Sequence, residues 1–309
     1  MKVAIDMKKV ISIGECSLNI VIGNDGKPMG SMPGGRVANC AAILARKGFE
    51  VTMASEASAD PVGDIVVSEL SKYGVDTRSL DRFTEGHTPI NVFTIDSDGK
   101  PATITRYEQY PDECFDIIWP KVEEGDVVLY GGYYSIDHRM RQRLSRFLDH
   151  CKEMKAILIY LPGFLPQQEP RVTRVMPAIL ENLEIADVVI TRSIDLKMIF
   201  GVDDSETAYH SRIDFYCRSL ISIDADKERI CYYAGREVST ATIEPTSCRT
   251  MIWNSGAIAG VVAAIISNGI QASALDTPSE AVRESILQSA AEFAVEASNN
   301  MNENWQYIQ

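Results

Sequence analysis

Between residues 127 and 200 the chain alternates short, continuously apolar runs with stretches of helical period, and this restricts the fold more than any other feature. Residues 127–130, 156–161 and 188–191 read as strands, while 139–152, 174–184 and 194–200 carry apolar residues at helical spacing. Strands with no polar alternation suit burial on both faces, which implies a largely parallel sheet covered by helices. The pattern extends in both directions. A helix over 37–47 is stopped by Gly48 and followed by a strand at 50–54, and an amphipathic helix over 62–73 ends at Gly74. Further on, 220–223, 229–233 and 238–243 read as another sheet segment, followed by a buried helix at 256–267 and a last helix at 278–298 with a polar tail over 299–304.

Two regions depart from this period. Residues 9–13 and 19–22 are short β-branched runs around Gly14-Glu15-Cys16, with turn chemistry at Asn24-Asp25-Gly26. Residues 89–96 and 102–107 alternate like a sheet exposed on one side and flank Ser97-Asp98-Gly99-Lys100, a hairpin turn. Together they predict a small β lid at about 15–32 and 88–107. With no repeat and no linker, residues 1–309 read as one domain, large enough at 45% hydrophobic residues to bury a sizeable core.

A formal net charge of −13 opposes a nucleic-acid partner, which requires clustered cations. Seven cysteines, odd in number and without a Cys-x-x-Cys pair, favour reduced thiols and a cytoplasmic setting over a disulfide frame or a structural zinc. The first residues lack a long apolar segment and the most apolar stretch, 257–266, is far short of a membrane span, so no membrane partner is expected. His87, His138, His150 and His210 lack metal-ligand spacing, and the acidic group Asp224, Asp226 and Glu228 lacks the glycine and terminal Glu of a calcium loop. No metal ligand is assigned, and the acidic group reads as a solvated hairpin.

Chemistry concentrates where Pro33-Gly34-Gly35-Arg36-Val37-Ala38-Asn39-Cys40 opens a helix through a glycine pair, which lets backbone approach a small ligand closely. Arg106, ending the second hairpin strand, either reaches an acidic or hydroxylated substrate or is a solvated edge charge. Gly131-Gly132-Tyr133-Tyr134 follows a strand and is either a ligand contact or a tight turn.

These residues resemble the PfkB, or ribokinase-like, family of carbohydrate kinases and its fructokinase-like branch. Residues 34–48 are similar to the family's first signature: a glycine pair, an Asn four residues on and an Ala-rich helix ending in Gly. Asp60-Pro61-Val62-Gly63 and Tyr73-Gly74-Val75-Asp76-Thr77 look like the stretch that follows. The resemblance implies a three-layer α/β/α domain with a mainly parallel sheet and a small β-sheet lid. It also implies ATP and magnesium as cofactors and a sugar or small polyol held by Gly34, Gly35 and Asn39. Asn19 stands where a family segment ends in Asp, so an uncharged amide replaces an acceptor of sugar hydroxyls. By the same resemblance the protein is a homodimer through the lid, or a partner of a related active kinase.

The family's second signature, Asp-Thr-x-Gly-Ala-Gly-Asp, is replaced by Thr250-Met251-Ile252-Trp253-Asn254-Ser255-Gly256 when Gly260 is matched to the family's next glycine. Gly256 then takes the place of the catalytic base, and a shift of one residue offers only Ala257. No Asp or Glu lies between Pro245 and Leu275. Leu161-Pro162-Gly163-Phe164-Leu165 and Arg192-Ser193-Ile194-Asp195 replace the family's Asp-Pro-Asn-x-Arg and Asn-x-x-Glu elements. On the nucleotide side stand Asp224, Trp253, Asn254 and Ser255, with Asp224 and Trp253 expected to obstruct phosphate by charge and bulk. No catalytic residue is assigned. The expectation is a sugar-binding homologue without ordinary phosphotransfer; the alternative is an active ATP-dependent sugar kinase with an unidentified base.

Overall fold

The computed structural model describes residues 8–95, 97, 101–111, 116–224, 227–243 and 251–304. Among them, thirteen strands form two sheets. In chain order the strands are β1 (Val10–Ile13), β2 (Ser17–Ile22), β3 (Pro28–Gly34), β4 (Val51–Ser58), β5 (Leu80–Phe83), β6 (His87–Ile95), β7 (Pro101–Gln109), β8 (Val127–Gly131), β9 (Ile157–Leu161), β10 (Val188–Arg192), β11 (Ser219–Asp224), β12 (Arg229–Ala234) and β13 (Glu237–Thr242). The helices are α1 (Arg36–Arg46), α2 (Pro61–Lys72), α3 (His138–Glu153), α4 (Val172–Ile185), α5 (Ser193–Phe200), α6 (Ser205–Ala208), α7 (Met251–Ser267), α8 (Ala272–Asp276) and α9 (Glu280–Asn304).

The large sheet runs β13-β12-β11-β10-β9-β8-β1-β4-β5. Its strands from β5 through β11 are parallel, and the β11–β12 and β12–β13 pairs are antiparallel. Successive side chains of one strand alternate between its faces. Val10, Val51, Met53, Val127 and Leu129 join α1, α2, α7 and α9 in one core, whereas Ile11, Ile13, Val128, Tyr130 and Tyr160 join α3, α4 and α5 in the other. The small sheet, ordered β3-β2-β6-β7, stands apart from the large one; β2 and β6 are parallel and its other pairs antiparallel.

Several boundaries differ from the sequence expectation, each for a physical reason. α7 begins at Met251 instead of 256, because Ile252 and Trp253 bury themselves and extend the helix by more than a turn. α9 runs on to Asn304 through the expected polar tail, its Ala290 and Ala294 buried in the core it shares with α7. β3 and β5 form where proline, glycine or charge weakens strand propensity, and both are edge strands, which tolerate this. The hairpin turn at Asp98-Gly99-Lys100, and with it Asp226, Thr250, Cys114 and Cys248, lies outside the described residues. The five described cysteines are free and buried. No described helix is long and apolar enough to cross a membrane.

Candidate functional site

A cavity of about 160 Å³ opens between the small sheet, the start of α1 and the C-terminal ends of the large sheet's strands. The glycine pair is explained by what it touches. A Cβ on Gly34 would lie 2.2 Å from Asn19 Oδ1 and 2.3 Å from Ser17 Oγ, and one on Gly35 would lie 2.1 Å from the Glu15 carbonyl oxygen. Gly35 caps α1 at φ 108°, which L side chains rarely adopt. Gly34 thus makes room for Asn19, while Gly35 and Asn39 line the cavity.

On the small-sheet wall a chain of polar groups orients the side-chain amides. Arg106 has only donors, so its Nη1 contact to Asn91 Oδ1 at 3.1 Å orients that amide. Asn91 Nδ2 then donates to Asn19 Oδ1 at 2.8 Å and to Ser17 Oγ at 2.9 Å. Asn19 Oδ1 thus already accepts one hydrogen bond from Asn91, and its NH2 is the donor that an amide adds where a carboxylate would only accept. Arg106 is not a solvated edge charge: its side chain is 2% exposed, and it meets Glu108 at 2.6 Å, Glu15 at 3.5 Å and the Tyr110 hydroxyl at 3.3 Å. Burial alone would lower its pKa, but Glu15, Tyr110 and Glu108 outweigh burial and raise it. Glu15 also accepts from Gln168 Nε2 at 2.8 Å, tying the small sheet to the loop after β9. Among the described residues no group hydrogen-bonds the Asn39 side chain, which is partly exposed.

The opposite wall is cationic. Asp195, 1% exposed in the first turn of α5, receives Arg192 Nη2 at 2.6 Å and Nε at 2.7 Å. Arg36 reaches the same carboxylate at 3.1 Å and 3.3 Å and donates to the Pro162 carbonyl at 3.0 Å. Gly163 makes this packing possible: at φ 132°, a Cβ there would lie 2.6 Å from Asp195 Oδ1 and 3.0 Å from Arg36 Nη2. Burial pushes the Asp195 carboxyl up, yet Arg36 and Arg192 together hold it at about 2. Burial and then the charge of Arg192 lower the pKa of Arg36.

From α7, Asn254 and Ser255 reach the cavity wall. Gly256 does not. A Cβ there would meet the Phe293 carbonyl oxygen at 2.7 Å and Ala297 Cβ at 2.8 Å, so this position faces α9. Ala257 is fully buried. Trp253 is 5% exposed within the hydrophobic core and not on the wall of this cavity. Asp224 ends β11, away from that wall, and pairs with Lys227 at 3.3 Å and Arg229 at 4.0 Å. Cys40 Sγ donates to the Ser255 carbonyl at 3.4 Å, locking α1 to α7. Gly131 and Gly132 line the cavity as well.

Sequence reasoning did not single out Arg36, Asn91, Gln168 or the Arg192–Asp195 pair as site residues. The available signals were a cation directly after the glycine pair and an acid three residues after an arginine at a strand-to-helix junction. A donor set for magnesium is not present at this junction, since both Asp195 oxygens are held by guanidinium groups. No cluster of three or more His, Cys, Asp or Glu suited to a metal occurs among the described residues. Beyond the cavity, Glu56 on β4 is 2% exposed and its Oε2 has no hydrogen-bond partner; burial pushes its pKa to about 9, with Arg139 only partly offsetting.

Residues 7–213 match the sequence model of a family described as pfkB family carbohydrate kinase. A Pyrococcus horikoshii protein bearing a sugar-kinase name is 26% identical over 191 residues, 58% of this chain, and the chain spans 60% of that relative's length. Fructokinase-1 of Oryza sativa subsp. japonica is 23% identical over 73% of this chain and 72% of its own. Among solved structures, a double mutant of Vibrio cholerae O395 fructokinase, in its fructose, ADP and potassium bound form, has a TM-score of 0.77 at 15% identity, covering 94% of this chain and 91% of that one. Aminoimidazole riboside kinase from Salmonella enterica, complexed with aminoimidazole riboside and an ATP analogue, has a TM-score of 0.76 at 13% identity, with coverage of 94% and 93%. At these identities the structural likeness establishes a ribokinase-like α/β fold.

Proposed function

We propose, from the premise that this chain belongs to the pfkB carbohydrate kinase family, that it is a degenerate member of it, a pseudokinase that binds a sugar or small polyol without ordinary phosphotransfer. The observation that carries this reading is the end of α7, where Asn254 and Ser255 reach the cavity and Gly256 packs on α9, so no carboxylate stands there to take a proton from a hydroxyl. Losing a positioned general base typically costs about 100- to 10,000-fold in rate. The closed Arg36–Asp195–Arg192 group adds to this, because its carboxylate, held by two guanidinium groups, is not free to assist magnesium on ATP phosphates.

In this reading Asn19, Asn39 and the backbone at Gly35 hold hydroxyls, the small sheet acts as a lid, and Arg106 positions Asn91 and Asn19 without touching the ligand. The lid sheet is also the surface for a homodimer or for a related active kinase, supported by Tyr107, 61% exposed on β7. A cytoplasmic setting accords with free cysteines. One specific group favours the active alternative: Glu15 is the carboxylate on the cavity wall, although Gln168 and Arg106 already engage it. Calorimetry with ATP and with a panel of hexoses, pentoses and polyols tests the proposal. Sugar binding without ATP binding is expected; tight magnesium-dependent ATP binding overturns it.

A further inference from the structure

We propose that the Arg36–Arg192 wall is an anion subsite, so that the cavity selects a sugar bearing an acidic group, a carboxylate or a phosphate ester, over the neutral sugar. This rests on the sugar-binding reading and adds the class of ligand. Two guanidinium groups share one carboxylate, which leaves one positive charge in excess on this wall. The remaining partner of Arg36 is the uncharged Pro162 carbonyl. Arg192 is 34% exposed at its side chain, and both arginines line the cavity, whereas Asp195 is sealed behind them. On the small-sheet wall the cation Arg106 is matched by Glu15 and, off the cavity lining, by Glu108, so no positive charge is in excess there.

The cavity is therefore polarised, and the polarity orients its ligand. An acidic group is drawn to Arg192 and Arg36, while hydroxyls face Asn19 and Asn39. Burial first, and then the neighbouring charge of Arg192, lower the pKa of Arg36, and a bound anion would counter both. Because guanidinium groups are permanent cations, this recognition needs no metal.

The test is calorimetry on the full chain in EDTA, comparing gluconate with glucose and fructose 6-phosphate with fructose, alongside inorganic phosphate. The acidic member of at least one pair is expected to bind about 10-fold tighter or more, with the advantage shrinking between about 50 mM and about 500 mM salt. Arg192→Gln should bring acidic and neutral sugars to within about 2-fold, and Arg192→Lys should keep most of the preference. Should the Gln variant not fold, the Lys variant and the salt dependence decide. Neutral sugars binding as tightly as both acidic ones, a preference insensitive to salt, or a Gln variant that keeps the preference overturns the subsite while leaving sugar binding intact. Inorganic phosphate binding as tightly as fructose 6-phosphate also overturns it, because the sugar then adds nothing. Failure of every sugar, neutral or acidic, overturns the underlying sugar-binding reading.

Discussion

In the proposed site Asn39 and Arg106 have different parts. Asn39 has a side chain free to meet a hydroxyl, so Asn39→Leu should weaken sugar binding roughly 3- to 10-fold, the cost of one hydrogen bond, with little change in melting temperature. Titration of the variant beside the parent checks it, and unchanged affinity places the sugar elsewhere. Arg106 is held by two carboxylates, an amide and a phenol, so Arg106→Met should destabilise the fold by roughly 1 to 2 kcal/mol, through the lost hydrogen bonds to Asn91 and Tyr110 and the lost pairing with the partly exposed Glu15 and Glu108. Chemical denaturation measures this, and a stable variant would mean that the network is dispensable. Glu56 makes a prediction about pH. Its pKa of about 9 in the fold lies above its ordinary value, so its contribution to stability is complete below about 4.5 and is lost as pH rises toward 9. Glu56→Gln should track the parent in acid and become more stable than it by about 3 kcal/mol near pH 7, read from denaturation across that range.

At the level of elements, α7 is the decisive piece. Gly256→Asp restores the family's residue by alignment, yet its side chain would press on the Phe293 carbonyl and Ala297 of α9. The variant should lose roughly 1 to 3 kcal/mol from overpacking and gain no turnover. Asn254→Asp, at a position that reaches the cavity, should keep the fold, and paired melting curves distinguish the two. The alternation over β8 to α5 was legible because buried parallel strands and amphipathic helices carry different periods. The start of α7 was less so, since whether Trp253 faces phosphate or core depends on where α9 packs. The Arg36–Asp195–Arg192 group was illegible for a related reason: Arg36 and Asp195 are 159 positions apart and meet only through the sheet topology. The orientation of Asn19 depends likewise on Asn91 and Arg106, on strands that only pairing brings alongside.

For the whole molecule, a ribokinase-like framework, seen in the described residues, is joined in the proposed reading to a centre without the family's base. The two cores, the large sheet and the α1–α7 contact keep the cavity in place, and none of them requires a base or a magnesium site. The residues that hold a fold differ from those that do its chemistry, so a fold by itself does not settle activity. The most direct test is a coupled assay of ATP turnover by the full chain with magnesium and a panel of neutral and acidic sugars. The account predicts no sugar-dependent turnover above background; turnover at an ordinary kinase rate, on the order of 1–100 per second with any of these sugars, would contradict it.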